Sequence, residues 1–136
     1  METSSYKNTS RIEVRYAETD QMGIVHHSVY AVWFEQARTH FFREAGADYA
    51  EMEKQGYVCP VLELGVQYKN PTHYGEFVDI ETTATQIDRL RFRVDYKLFV
   101  NNKLCTTGFT VHCLLKDGRP TREIPEAFAK SLSKSF

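Results

Sequence analysis

Hydrophobic and polar positions change their period twice along this chain. In residues 11–16, Ile12, Val14 and Tyr16 alternate with polar neighbours, which predicts a short strand. Residues 17–25 have no period and contain Gly23, so they read as a loop. From residue 28 to 45 the spacing becomes helical. Val29, Trp33, Ala37 and Phe41 fall four apart, and Tyr30, Phe34 and Phe42 widen the stripe. A helix this apolar over its circumference is expected to be buried on several sides. Ser28 is the expected N-cap and Gly46 the expected left-handed stop. A second, shorter helix is expected over 48–55.

After Gly56 the pattern turns to alternation and stays there. Strands are expected over 58–69, 76–87, 91–100 and 104–115, with a terminal helix over 123–132. The third of these strands is the clearest. Phe92, Val94, Tyr96 and Leu98 face one way and Arg91, Arg93, Asp95 and Lys97 the other. Asn101-Asn102 and Asp117-Gly118 are turn signals, because Asn, Asp and Gly tolerate positive φ. Short connections favour antiparallel neighbours. The fold class is therefore α+β: an antiparallel sheet that must cover one very apolar helix. Such a sheet leaves an edge exposed, and a homodimer or homotetramer would protect it.

Composition narrows the class further. The chain has 136 residues, 42% hydrophobic and 13% aromatic, enough for a core, and reads as one domain over 1–136 with a flexible tail over 1–9. A net charge of -1 argues against a dedicated nucleic-acid binder. Cys59, Cys105 and Cys113 cannot all pair with one another and form no CxxC, which fits a reducing compartment. Residues 1–8 hold no apolar stretch of the signal-peptide kind, and no run is long enough to span a membrane. A cytoplasmic protein is expected.

Candidate chemistry concentrates in residues 16–30, which join the first strand to the helix. This segment holds Glu18, Asp20, Gly23, His26, His27, Tyr16 and Tyr30. A helix start offers unpaired N–H groups and partial positive charge. Against an acyl carbonyl those groups form an oxyanion hole, and a carboxylate in the preceding loop can attack or activate water. Gly23 would let the backbone approach a ligand closely. Asp20 could equally cap a turn. Glu18 reads as a solvated or structural carboxylate, although a carboxylate so close could raise the pKa of Asp20. The aromatic residues of the helix read as core, and Glu35 and Arg38 as a helical ion pair. No histidine–cysteine spacing suits zinc, and there is no GxSxG elbow. Arg89, Arg91 and Arg93 repeat with period two. They form either a solvated sheet face or a phosphate-binding patch.

The run Asp20, Gly23-Ile24-Val25, His26-His27, Tyr30 and Glu35-Gln36-Ala37-Arg38 resembles the active-site signature of the 4-hydroxybenzoyl-CoA thioesterase and YbgC-like acyl-CoA thioesterases. Residues 68–76 resemble that family's strand-to-strand connection, and the similarity extends over about 11–115. The resemblance implies a hotdog fold, a curved antiparallel sheet wrapped around one long helix. It implies an acyl-CoA thioesterase with Asp20 as nucleophile or general base. His27 would supply an oxyanion N–H and stand as a second catalytic residue, in an active-site loop shared with Gly23 and Val25. On the phosphate-binding reading of the arginine patch, Arg89 and Arg91, with Lys69, would contact coenzyme A, which is part of the substrate; neither a further cofactor nor a metal is expected. No nucleic-acid or membrane partner is expected. Other readings are an acyl-carrier-protein thioesterase, a catalytically weak acyl-CoA binding module, and a hotdog hydratase acting on a carbon–carbon bond.

Overall fold

A computed structural model describes residues 6–134. The chain runs β1 (Asn8–Glu13), α1 (Val29–Glu44), α2 (Tyr49–Lys54), β2 (Tyr57–Val58), β3 (Val61–Tyr68), β4 (Phe77–Gln86), β5 (Arg91–Val100), β6 (Lys103–Cys113), β7 (Leu115–Lys116), β8 (Arg119–Pro120), α3 (Glu126–Ser131) and β9 (Ser133–Lys134). Of the tail expected over 1–9, residues 1–5 lie outside the described residues. Asn8 and Thr9 already belong to a strand, opposite Thr82 and Glu81 of β4.

Among the described residues, the main sheet has the order β1-β4-β5-β6-β3, with β9 added beside β4. All pairs are antiparallel except β4 with β9. Tight turns close the hairpin between β5 and β6, where Asn101 and Asn102 take φ of 50° and 66°. The short connection after β3 departs from the expectation that such links join neighbours. β3 pairs with β6 at the sheet edge, whereas β4 lies between β1 and β5. Residues 69–76 therefore cross the end of the sheet, and that crossing shapes the site described below.

The sheet wraps α1 in the hotdog arrangement. Tyr30, Trp33, Phe34, Ala37, Arg38, Phe41 and Phe42 of the helix are buried. The inward positions of β5, Phe92, Val94, Tyr96 and Leu98, are buried as their alternation predicted. Phe34 stacks on Tyr96 with centroids 4.3 Å apart. Gly108 of β6 makes this approach possible, because a Cβ there would collide with the Phe34 ring and come 2.8 Å from the Gly65 carbonyl oxygen. At the other end of α1, Phe42 stacks on Phe128 of α3 at 4.5 Å. Each such buried ring contributes on the order of 2 kcal/mol of transfer free energy.

The helix ends as expected and starts otherwise. Gly46 takes φ of 91°. Its N–H donates to the Arg43 carbonyl, and the Ala47 N–H donates to Phe42, which together make a Schellman stop. Ser28 is not a side-chain cap, since its backbone is already helical. Its hydroxyl lies 2.8 Å from His26 Nδ1. No helix among the described residues is long and apolar enough to cross a membrane, and the three cysteines are free thiols.

Candidate active site

The loop between β1 and α1 is folded by its own backbone. After one 3-10 turn at Tyr16–Glu18, Thr19 pairs with Val25. The Asp20 N–H donates to the Ile24 carbonyl (2.9 Å) and the Gly23 N–H to the Asp20 carbonyl (3.0 Å). Gly23 takes φ of 79°, and a Cβ there would meet nothing within 4 Å. The glycine therefore serves the left-handed turn itself, and crowding is not its reason.

The crossing connection clamps this loop from beneath. The Val25 N–H donates to the Thr72 carbonyl at 2.9 Å, and Ile24 bridges His73. The Tyr68 hydroxyl donates to the His27 carbonyl at 3.0 Å. Tyr30 and Thr72 share a buried hydroxyl contact of 2.8 Å. Between the loop and the connection lies a cavity of about 330 Å³, lined by Asp20, Met22, Ile24, Val25, His27, Tyr30, Tyr68, Lys69, Asn70 and Pro71. Asp20, Val25, His27 and Lys69 thus border one cavity, and Gly23 is not among its lining residues.

Within the cavity the polar groups differ in what they have left to offer. Asp20 Oδ1 accepts the Met22 N–H at 2.8 Å, while Oδ2 has no hydrogen-bond partner among the described residues. The Val25 N–H is engaged by Thr72, so Val25 is a buried wall and anchor and no oxyanion donor. The His27 N–H has no acceptor among the described residues. Its imidazole is exposed and packs on the His26 ring at 4.1 Å. One free carboxylate oxygen and one free backbone donor therefore border the same cavity. The Lys69 ammonium, at the rim, has no ion-pair partner among the described residues.

Of the two readings of Glu18, solvated or structural, the structure shows the structural one. Glu18 is 7% exposed and turns away from the cavity. Its Oε1 accepts the Arg15 N–H at 2.8 Å, and its Oε2 accepts the Trp33 indole N–H at 3.0 Å and the Arg15 guanidinium at 3.2 Å. Burial pushes its pKa up, but the Arg15 N–H, the Trp33 N–H and the Arg15 guanidinium outweigh it, and the net direction is down. Trp33 is core, as read, and also a donor. A fully buried indole N–H needs an acceptor, which is the one signal that could have found this pair.

Arg89 and Arg91 are not brought to the cavity within the chain. They lie in and after the turn between β4 and β5, and Asp88 holds Arg91 by a 2.8 Å ion pair. β4 separates that turn from the crossing connection by its ten residues, about 30 Å of strand. Arg93 packs over the Phe109 ring at 4.0 Å and pairs with Asp95. Glu35 and Arg38 are 3.9 Å apart, a loose contact between an exposed carboxylate and a buried guanidinium. Among the described residues no group of three or more His, Cys, Asp or Glu is arranged to hold a metal ion.

Known proteins are similar to this chain in sequence and in fold. A Bacillus subtilis protein, YneP, provisionally named an acyl-CoA thioesterase, is 52% identical over 88 residues, which are 65% of this chain and 64% of that protein's own length. The DHNA-CoA thioesterase of Staphylococcus aureus superposes with a TM-score of 0.84 at 40% identity, covering 91% of this chain and 89% of that one. A hypothetical protein from Thermus thermophilus, TT1821, superposes with a TM-score of 0.86 at 38% identity, over 90% of this chain and 95% of its own. The model of the thioesterase-like superfamily matches residues 14–132. The chain, with its hotdog fold and its Asp20 loop, belongs to the thioesterase-like superfamily.

Proposed function

We propose that this protein hydrolyses acyl-CoA thioesters to a carboxylic acid and free CoA, with Asp20 as nucleophile or general base. The observation that carries this reading is the pairing of Asp20 Oδ2 with the unpartnered His27 N–H around one cavity. The relatives named above support the thioester class. The thioester carbonyl oxygen lies against the His27 N–H, at the positive end of α1, where the donor stabilises developing negative charge. Either Asp20 takes a proton from the water that attacks the carbonyl carbon, or it attacks that carbon itself and forms an acyl–Asp20 anhydride, which water then hydrolyses at the acyl carbon to free Asp20. The carbon–sulfur bond breaks, the thiolate leaves and is protonated to free CoA, and the water oxygen ends in the acid. The His27 imidazole, exposed at the same edge, is the second candidate for proton transfer. No step needs a bound metal or a further cofactor.

Lys69 at the rim meets the phosphates of CoA. Arg89 and Arg91 enter such a contact only from a second subunit. A homo-oligomer is supported by the edge strand β3, where Val61, Leu62 and Leu64 are each about half exposed. An unpaired, apolar edge favours pairing with a second copy.

The test is a panel of acyl-CoA thioesters assayed for released thiol, with Asp20→Asn alongside. The substitution keeps the shape and removes the anionic oxygen. A fall in kcat of about a hundredfold or more is expected, with the fold unchanged. Near-normal turnover by the variant would remove Asp20 from the reaction.

A further inference from the structure

Asp20 and the His27 N–H act together only if their separation is held, and neither is on a rigid element. Asp20 is in a turn and His27 precedes the helix. Contacts from outside tether the loop, among them the Ile24–His73 bridge. Thr72 of the crossing connection holds Val25, and Tyr68, at the end of β3, holds the His27 carbonyl. Another comes from the helix: Trp33, 1% exposed, donates its indole N–H to the Glu18 carboxylate.

Glu18 has a further contact that makes it more than an anchor for one point. Its backbone carbonyl accepts the His26 N–H at 2.9 Å. It therefore stands two residues before Asp20 in sequence and one hydrogen bond from the residue before His27. A shift of Glu18 moves both ends of the loop relative to α1. A simpler role is that of a cap, because the Glu18 side chain and the Arg15 N–H close the 3-10 turn. A cap needs no contact with a buried tryptophan fifteen residues on, and burying an ionised carboxylate to make one is costly. The Trp33 bond instead fixes the turn against the helix whose start presents the oxyanion donor.

We propose that Glu18, held by Trp33, is a positioning residue that sets the Asp20 carboxylate and the His27 N–H at their working separation. This rests on the assignment of Asp20 made above. Errors of about 1 Å in such geometry reduce turnover by about a hundredfold, because the reacting groups no longer meet in line. Uniform binding of the substrate elsewhere in the cavity does not depend on that separation, so KM should change little.

The experiment compares Glu18→Gln, Trp33→Phe, the double variant and Asp20→Asn with the native chain, using the best substrate of the thioester panel. Kinetics are taken on the folded fraction, and thermal melting is recorded for each. Glu18→Gln should lower kcat about 10- to 100-fold and Trp33→Phe about tenfold, each with KM within twofold. The double variant should be no slower than Glu18→Gln alone, since both cut one link. A merely structural role gives lower melting temperatures, unchanged kcat in the folded fraction and losses that add, and overturns the proposal. Failure of both single variants to fold overturns it as well. If Asp20→Asn keeps full turnover, the active-site assignment itself has failed. If that variant is dead while Glu18→Gln and Trp33→Phe turn over normally, only the positioning role falls.

Discussion

His112 has no exposed surface and sits on the inward side of β6. Its Nδ1 lies 3.0 Å from the Pro60 carbonyl oxygen, which can only accept, so Nδ1 carries the hydrogen. Its Nε2 lies 2.7 Å from the Thr110 hydroxyl and accepts from it. The Tyr96 hydroxyl then donates to Thr110 at 2.7 Å, and the buried Arg38 guanidinium stands behind Tyr96. A second proton on Nε2 would point against the Thr110 hydrogen and reverse this chain. Cys59 Sγ, 3.5 Å from Nδ1, offers no compensating charge, because burial pushes its thiol up to about 12. Burial first, and then the Arg38 charge, lower the His112 pKa from 6.5 to about 4, against a smaller opposing effect of the Pro60 carbonyl.

The sign follows from proton binding. Between pH 6.5 and 4 the unfolded chain holds a proton on residue 112 and the folded chain does not, so stability falls as pH falls. The whole interval is worth roughly 3 kcal/mol, of which about 2 kcal/mol is lost between pH 7 and pH 5. For a chain of this size that is about 6–8 °C in Tm. Urea unfolding at one fixed protein concentration should be measured at both pH values for the native chain and for His112→Gln. Gln retains an amide donor for Pro60 but does not titrate. The variant will be less stable at pH 7, yet its further loss on going to pH 5 should be smaller by about 2 kcal/mol. Equal losses in the two proteins would refute the account of a buried neutral imidazole.

Two other outcomes test the ends of the site. Lys69→Ala should raise KM for a full acyl-CoA about fivefold at low salt and leave kcat unchanged, since one screened lysine–phosphate contact contributes about 1 kcal/mol. The effect should vanish with a truncated thioester lacking the nucleotide, and an unchanged KM at low salt would take Lys69 out of the CoA contact. Leu64→Lys, which puts a charge on the exposed edge of β3, should shift a sedimenting dimer toward monomer at micromolar concentration. A native chain that sediments as a monomer would remove the edge-pairing argument.

The parts legible in the sequence are those where one local period carries the information. β5 is the plainest case, because its inward residues alternate without interruption and its turn at Asn101-Asn102 is declared by residue type. The strand order was not legible. Nothing in residues 69–76 distinguishes a hairpin from a crossing. The Asp20–His27 loop was legible as a concentration of chemistry, while its tethers were not. Glu18 and Trp33 are joined across a turn and a helix. The His112–Thr110–Tyr96 chain is built from inward strand positions that look like ordinary alternation. The spacing of Glu35 and Arg38 gives their ion pair, which forms at 3.9 Å, but not the contact of the buried Arg38 guanidinium with Tyr96.

The crossing that sequence reasoning missed is also what makes the site possible. Had β3 and β4 been neighbours, residues 69–76 would have closed a hairpin away from the loop, and Asp20 would have faced solvent on one side. Because β3 pairs with β6, the connection must pass under the loop. It supplies Thr72 to hold Val25, and Lys69 and Pro71 to wall the cavity, while Tyr68 at the end of β3 holds His27. The same placement leaves β3 as an edge with apolar side chains exposed. Cavity and exposed edge are thus two consequences of one topological choice. Tyr68 belongs to both, as the last residue of the edge strand and a direct contact of His27. A second chain docking along β3 would therefore reach the Asp20–His27 loop through Tyr68.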